Sequence, residues 1–311
     1  MLEVDPELVA SLRALNSGDP ALPVPARGDV EGLRIQVDTR LSLLSGLVED
    51  PPGLERRDYK VPAEDGATLL VRAFQAEGFA DGPAALYIHG GGMVAGSVAV
   101  YDRFIASLAA SAGVQLFAVD YRLAPASSAS GPIDDCLSAL RWLRAHADEF
   151  GIDPARIGLV GDSAGGGIAA ALAAREAAER GPLAGLVLLY PMLDDRTQPD
   201  PLLVHVATWG YDANATGWAA LLGGGPESLV RKMVPARIDE LSSLPPTYLE
   251  VGQLDIFRDE CMAFAIRLSQ SGVPCEFHLW PGATHAFEKV APTSELARRA
   301  IDARSRALQR L

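Results

Sequence analysis

A serine flanked by glycines stands where an apolar run gives way to a helical pattern. Residues 157–160 are apolar, residues 161–165 read Gly-Asp-Ser-Ala-Gly, and small residues typical of a helix fill positions 168–174. This order predicts a strand, a sharp turn and a helix, with Ser163 held above the sheet in a strained backbone conformation. We therefore consider Ser163 a candidate nucleophile; the alternative is a small residue in a tight turn.

A serine hydroxyl with an ordinary pKa is a weak nucleophile, so Ser163 needs a base. The chain has five histidines. His285 follows an apolar strand pattern, at the edge where open α/β sheets place their sites, and we predict it to be the base. The other four occupy a charged helical segment, an irregular region, a strand interior and the start of a glycine run: His146, His205, His278 and His89.

The acid that orients the base should also follow a strand. Residues 248–251 form a mainly apolar strand pattern, which Gly252 ends, and Asp255 lies three residues further on. We predict Asp255 as the orienting acid. Asp259 is the alternative, although it also suits the first turn of the next helix, where acidic side chains are favoured.

Three consecutive glycines follow His89 at the end of another strand pattern. Gly90, Gly91 and Gly92 carry no side chains, so their backbone N–H groups can turn toward a ligand and hold a developing oxyanion. The alternatives are a flexible turn or a phosphate cradle. The cradle is disfavoured because no Lys-Ser/Thr pair follows the glycines.

Short apolar strands alternate with helical patterns from residue 84 onward. Such alternation predicts an α/β fold with a mostly parallel sheet covered on both faces. Before residue 84, apolar and polar residues alternate on both sides of an Asp65-Gly66 turn. This pattern predicts an antiparallel hairpin.

Two regions depart from this rhythm. Residues 1–50 carry two helical patterns, one starting at Asp5-Pro6 and one with Leu33, Val37, Leu41 and Leu44 on a single face. Residues 194–235 are rich in glycine and proline and interrupt the alternation. We therefore divide the chain into an N-terminal helical part (1–50), a core in two parts (51–193 and 236–311) and an insertion (194–235) over the sheet's C-terminal edge.

Composition narrows the classes of partner. The chain of 311 residues has a net charge of −13 and no long basic cluster, which argues against nucleic acid and anionic membranes as partners. The first residues lack the pattern of a signal peptide, and no apolar stretch is long enough for a membrane span. Cys136, Cys261 and Cys275 are widely spaced, so we expect reduced cysteines, no metal site and a cytoplasmic location.

Several short segments occur together along the chain: HGGG (89–92), DYRLAP (120–125), GDSAGG (161–166), YPML (190–193), Asp255 and HAF (285–287). The order serine, aspartate, histidine along the chain is that of α/β-hydrolases. In these segments, from about Val71 to its C-terminus, the chain resembles the hormone-sensitive-lipase-like α/β-hydrolases, also called bacterial family IV esterases. One position departs from the family pattern: Ala126 stands where a glutamate is usual after Leu-Ala-Pro.

The resemblance implies an α/β-hydrolase fold with a helical cap made of the N-terminal helices and the insertion. It also implies Ser163 as nucleophile, His285 as base and Asp255 as orienter. The implied oxyanion hole consists of the amides of four residues, namely Gly90, Gly91, Gly92 and Ala164.

The expected activity is hydrolysis of short- to medium-chain carboxylic esters through an acyl-enzyme, with no metal or cofactor. We predict Met93, Trp209 and Phe287 near the acyl pocket because each lies in the insertion or follows a catalytic loop. Amide or lactone cleavage by the same machinery and non-catalytic binding of a small molecule remain open. The expected partner is a small ester substrate. Association of two copies of the chain in a homodimer remains open.

Overall fold

Eight strands form one sheet in the computed structural model, which describes residues 3–17, 23–76, 82–127, 129–179 and 183–311. In chain order they are β1 (Leu54–Pro62), β2 (Thr68–Ala76), β3 (Gly82–Ile88), β4 (Gln115–Asp120), β5 (Ile152–Asp162), β6 (Leu186–Leu189), β7 (Thr247–Gly252) and β8 (Cys275–Trp280). The order across the sheet is β1-β2-β4-β3-β5-β6-β7-β8. β2 pairs antiparallel with β1 and β4, and all other neighbours are parallel. The predicted α/β fold with a mostly parallel sheet is confirmed.

Helices connect and cover these strands. β4, β6 and β7 are buried along almost their whole length, as expected for parallel strands covered on both faces. The described residues include the α-helices α1 (Pro6–Ser17), α2 (Val30–Ser45), α3 (Val98–Ala112), α4 (Gly131–Ala145), α5 (Ala164–Glu179), α6 (Tyr211–Leu222), α7 (Glu227–Met233), α8 (Arg258–Gln270), α9 (Phe287–Val290) and α10 (Glu295–Gln309).

The structure confirms the predicted hairpin. β1 and β2 pair in register from Leu54 opposite Ala76 to Pro62 opposite Thr68. α3 begins at Val98, where the Ser97 hydroxyl accepts a hydrogen bond from the Val100 N–H and caps the helix. α4 ends at Ala145, and a short 3₁₀ helix follows it at Ala147–Phe150.

The N-terminal part contacts the region of residues 194–235 through its second helix, α2. The Asp5 side chain caps α1, accepting hydrogen bonds from the backbone of Glu7 and Leu8. α2 packs against α6, and nearby the Gly28 N–H donates to the Thr216 hydroxyl at 2.9 Å. Residues 18–28, which join the two N-terminal helical patterns and are rich in proline and glycine, lie partly outside the described residues.

The structure also bears on the predictions about membrane spans and about the cysteines. In the described parts of the chain, no helix combines the length and apolar character needed to cross a bilayer. All three cysteines are free thiols; Cys136 and Cys261 are buried, and Cys275 is half-buried.

Candidate active site

Ser163 lies between the end of β5 and the start of α5, with a backbone φ of +54°. This left-handed conformation is costly for a non-glycine residue and turns the side chain out of the sheet. The turn is tight enough to require glycine beside it. A Cβ at Gly165 would lie 2.0 Å from the carbonyl oxygen of Ile88, and one at Gly161 would lie 2.4 Å from that of Gly165. The predicted strand-turn-helix around Ser163 is present.

Three side chains from different loops form a hydrogen-bonded series. His285 Nε2 lies 3.0 Å from Ser163 Oγ, and His285 Nδ1 lies 2.7 Å from Asp255 Oδ2. Asp255 is completely buried, and its other oxygen accepts the Phe257 N–H at 3.0 Å. Because one carboxylate oxygen is held by the backbone, the other is directed at the imidazole. The structure thus brings together the three residues selected from the sequence.

The alternative acid lies outside this series. Asp259 lies in the first turn of α8, and its exposed side chain pairs with Arg258 at 2.6 Å. The next residue, Glu260, is half-buried and accepts the Leu193 N–H at 2.6 Å, just before the region of residues 194–235. Of the two candidates, only Asp255 contacts His285.

The glycine run approaches Ser163 from the end of β3. Gly91 has a φ of +116° and lines the same cavity as Ser163. Among the described residues, no acceptor binds the N–H of Gly91 or Gly92. Ala164 is the first residue of α5, so its N–H is one of the unsatisfied donors at a helix N-terminus. The structure therefore leaves three amides of the predicted oxyanion hole without an acceptor among the described residues.

Gly90 differs from the prediction. Its N–H donates to Asp162 Oδ1 at 3.1 Å and is therefore already engaged. The sequence could not indicate this, since the two residues are 72 positions apart. The preceding residue, His89, is buried, stacks on Tyr121 with ring centres 4.3 Å apart, and has Nδ1 2.8 Å from the Gly90 oxygen. Burial lowers the pKa of His89, which favours a neutral ring that supports the glycine turn.

A cavity of about 700 Å³ opens in front of Ser163 and His285. Of the three residues predicted near the acyl pocket, Trp209 lines this cavity. Met93 and Phe287 do not: each is 1% exposed and packed into the interior, Phe287 beside Trp280 and Met93 near Gly167. Following a catalytic loop in sequence therefore did not place these two side chains in the cavity.

Comparisons with known proteins identify the family of this chain. Residues 85–289 match the family described as the alpha/beta hydrolase fold. The chain belongs to this family. The hydrolase is 31% identical over 306 residues to an ethyl acetate hydrolase of Pseudomonas putida, covering 95% of each chain. It is 32% identical over 239 residues to the carboxylesterase NlhH of Mycobacterium tuberculosis, covering 73% of this chain and 74% of that protein. The solved structure of a bacterial heroin esterase is 34% identical, covers 99% of this chain and 97% of that one, and has a TM-score of 0.86. The predicted resemblance to hormone-sensitive-lipase-like hydrolases is confirmed.

In this hydrolase the residue before Ser163 joins three loops of the site. Asp162 is buried and accepts hydrogen bonds from Tyr87 at 2.8 Å and Tyr101 at 3.2 Å, in addition to the Gly90 N–H. The Lys289 ammonium donates to it at 2.8 Å, from the short helix that follows His285. One carboxylate therefore ties the serine turn to the glycine loop and to the histidine loop. No local sequence pattern indicates this role for Lys289.

A second set of buried charges lies behind His285. Tyr190, whose ring meets the imidazole edge-on at 4.9 Å, donates its hydroxyl to Glu288. Arg304 reaches Glu288 at 3.1 Å and Glu250 at 2.5 Å. Burial alone would raise the pKa of Glu288, but Arg304 and Lys289 outweigh it and lower that pKa to about 2.

Acid should weaken the fold through Glu288. A carboxyl whose pKa is lowered by folding contributes stability above its unfolded pKa, about 4.3, and loses that stability as the pH falls toward 2. The full shift corresponds to about 3 kcal/mol. We expect Glu288→Gln to flatten the fall in the free energy of unfolding between pH 4.5 and 2.5, measured by urea titration. Glu149→Gln, at an exposed position, is the control, and an equal slope in both variants would contradict the assignment.

Proposed function

We propose that this protein is a serine carboxylesterase that hydrolyses short- to medium-chain carboxylic esters through an acyl-enzyme. The observation that carries the proposal is the series Ser163–His285–Asp255, joined at 3.0 and 2.7 Å beside three available backbone amides. The family and the relatives, which include an ethyl acetate hydrolase and a carboxylesterase, support the class of carboxylic ester hydrolase.

Acylation follows from the positions of these groups. His285 Nε2 accepts the proton of Ser163 as Oγ attacks the ester carbonyl carbon, and Asp255 stabilises the imidazolium through Nδ1–H. The carbonyl oxygen gains negative charge and is held by the N–H groups of Gly91, Gly92 and Ala164. The imidazolium then gives its proton to the leaving alcohol, which departs as the C–O bond breaks.

Deacylation repeats the sequence with water. His285 removes a proton from a water molecule, whose oxygen attacks the acyl carbon, and the same amides hold the second oxyanion. Collapse of this intermediate releases the carboxylic acid and returns the proton to Ser163 Oγ. Every step uses groups that this chain supplies.

The cavity over Ser163 is formed largely by a cap, which we propose consists of the N-terminal helices and residues 194–235. α2 and the segment around Trp209 line it together. α6 approaches the oxyanion loop so closely that a Cβ at Gly217 would lie 2.5 Å from the Gly92 oxygen. A pocket bounded in this way favours acyl chains that fill it over those that exceed it.

Chain length tests this proposal. Each buried methylene can add about 0.8 kcal/mol of binding while space remains. With 4-nitrophenyl esters, we expect kcat/KM to rise to acyl chains of roughly four to six carbons and to fall beyond about eight. Efficient hydrolysis of long-chain triglycerides would contradict this limit on acyl chain length. A folded protein that hydrolyses no ester in the series would contradict the esterase function itself.

A further inference from the structure

Two cationic side chains line the cavity over Ser163, and they differ in their partners. Lys289 is bound to Asp162 at 2.8 Å and is therefore neutralised. Arg40, on α2, also lines the cavity and is half-buried. Among the described residues, no carboxylate or carbonyl group is paired with Arg40.

Arg40 lies among apolar side chains on the cavity wall, where a charge without an ionic partner is unusual. The same face of α2 presents Val37 and Leu41, which are apolar. Burial lowers the pKa of Arg40, yet a guanidinium stays protonated at neutral pH. Asp212 also lines the cavity, but its side chain is exposed and makes no ion pair with Arg40. A partly desolvated charge without a partner is costly for the protein alone, and an anion from the substrate would reduce that cost.

We propose that Arg40 binds a carboxylate carried by the substrate, so that the enzyme prefers esters bearing a negative charge away from the scissile bond. This proposal rests on the esterase function proposed above and specifies its substrate class. The planar guanidinium can donate two parallel hydrogen bonds to a carboxylate. A phosphate dianion fits less well because one guanidinium would leave its second charge unbalanced in a protein of net charge −13.

The test compares charged and neutral esters of equal length. Methyl half-esters of dicarboxylic acids with four to eight carbons are assayed beside methyl esters of the corresponding monocarboxylic acids. For each length, the ratio of kcat/KM for the half-ester to that for the neutral ester gives the preference for charge. We expect this ratio to exceed one at one length or more in the parent. Arg40→Gln should lower it by roughly 10- to 100-fold, mainly through KM.

Two further variants separate recognition from general effects. Arg40→Lys keeps the charge but loses the paired donors, so it should retain part of the preference. Arg57→Gln, at an exposed position on β1, removes the same charge and should leave the ratio unchanged. Raising the salt concentration should also reduce the preference in the parent, which gives a readout even where Arg40→Gln fails to fold.

The outcomes distinguish this proposal from the esterase function. Hydrolysis of neutral esters with equal ratios in the parent and in Arg40→Gln would overturn the role of Arg40 and leave the function standing. Calorimetric binding of glutarate tests the anion site without turnover. If the parent hydrolyses no ester but binds glutarate more than tenfold more tightly than Arg40→Gln, the anion site stands and the esterase function falls. If the parent does not bind glutarate and shows no preference for charge, the anion site is wrong.

Discussion

Ser163→Ala is expected to lose on the order of 10⁶-fold in kcat while folding as the parent does. The hydroxyl removed is the one that His285 Nε2 contacts at 3.0 Å, and alanine cannot form the acyl-enzyme. The residual rate would come from the oxyanion amides and from substrate binding alone. The measurement is kcat for 4-nitrophenyl butyrate beside a thermal unfolding curve.

A second buried serine supplies the control for this variant. Ser138 is 6% exposed and its hydroxyl donates to the Asp134 carbonyl oxygen within α4, away from the cavity. Ser138→Ala removes the same atom and should keep kcat close to that of the parent. Turnover by Ser163→Ala within tenfold of the parent would remove Ser163 from the mechanism.

Asp255→Asn is expected to lower kcat by about 10⁴-fold. The carboxylate accepts a hydrogen bond from His285 Nδ1–H at 2.7 Å, so that Nε2 remains free to accept the serine proton. An amide in the same place can donate to Nδ1, which favours the tautomer that carries its proton on Nε2. That tautomer cannot act as a base toward Ser163. Single-turnover assays of acylation measure the loss directly.

Asp259→Asn is the matched control for the acid. The substitution is the same, aspartate to asparagine, and lies four positions further along the chain. The Asp259 side chain, however, is exposed and pairs with Arg258. An exposed pair of this kind contributes little to stability. We expect kcat within about threefold of the parent. A larger loss in Asp259→Asn than in Asp255→Asn would show that the acid is assigned to the wrong residue.

The sequence alone was sufficient to select Ser163, His285 and Asp255 as a group. Each follows a strand pattern, and in a parallel sheet the carboxyl ends of the strands converge at one edge. Ser163 also lies within a local glycine pattern that only a tight turn requires. Such signals are local, because they depend on residues adjacent in the chain, and so do the strand and helix periods that predicted the fold.

The partners of buried charges and the shape of the cavity were decided only by the tertiary structure. The Gly90 N–H donates to Asp162, which is 72 positions away in the sequence. The Lys289 ammonium donates to the same carboxylate and is 127 positions away from it. Met93 turns into the interior although it follows the glycine run, and Arg40 faces the cavity from a helix far away in sequence. The physical reason is that contacts between elements distant in sequence decide whether a charge is paired. The same contacts decide whether a side chain packs into the interior or lines a cavity. A local sequence pattern carries no information about such contacts.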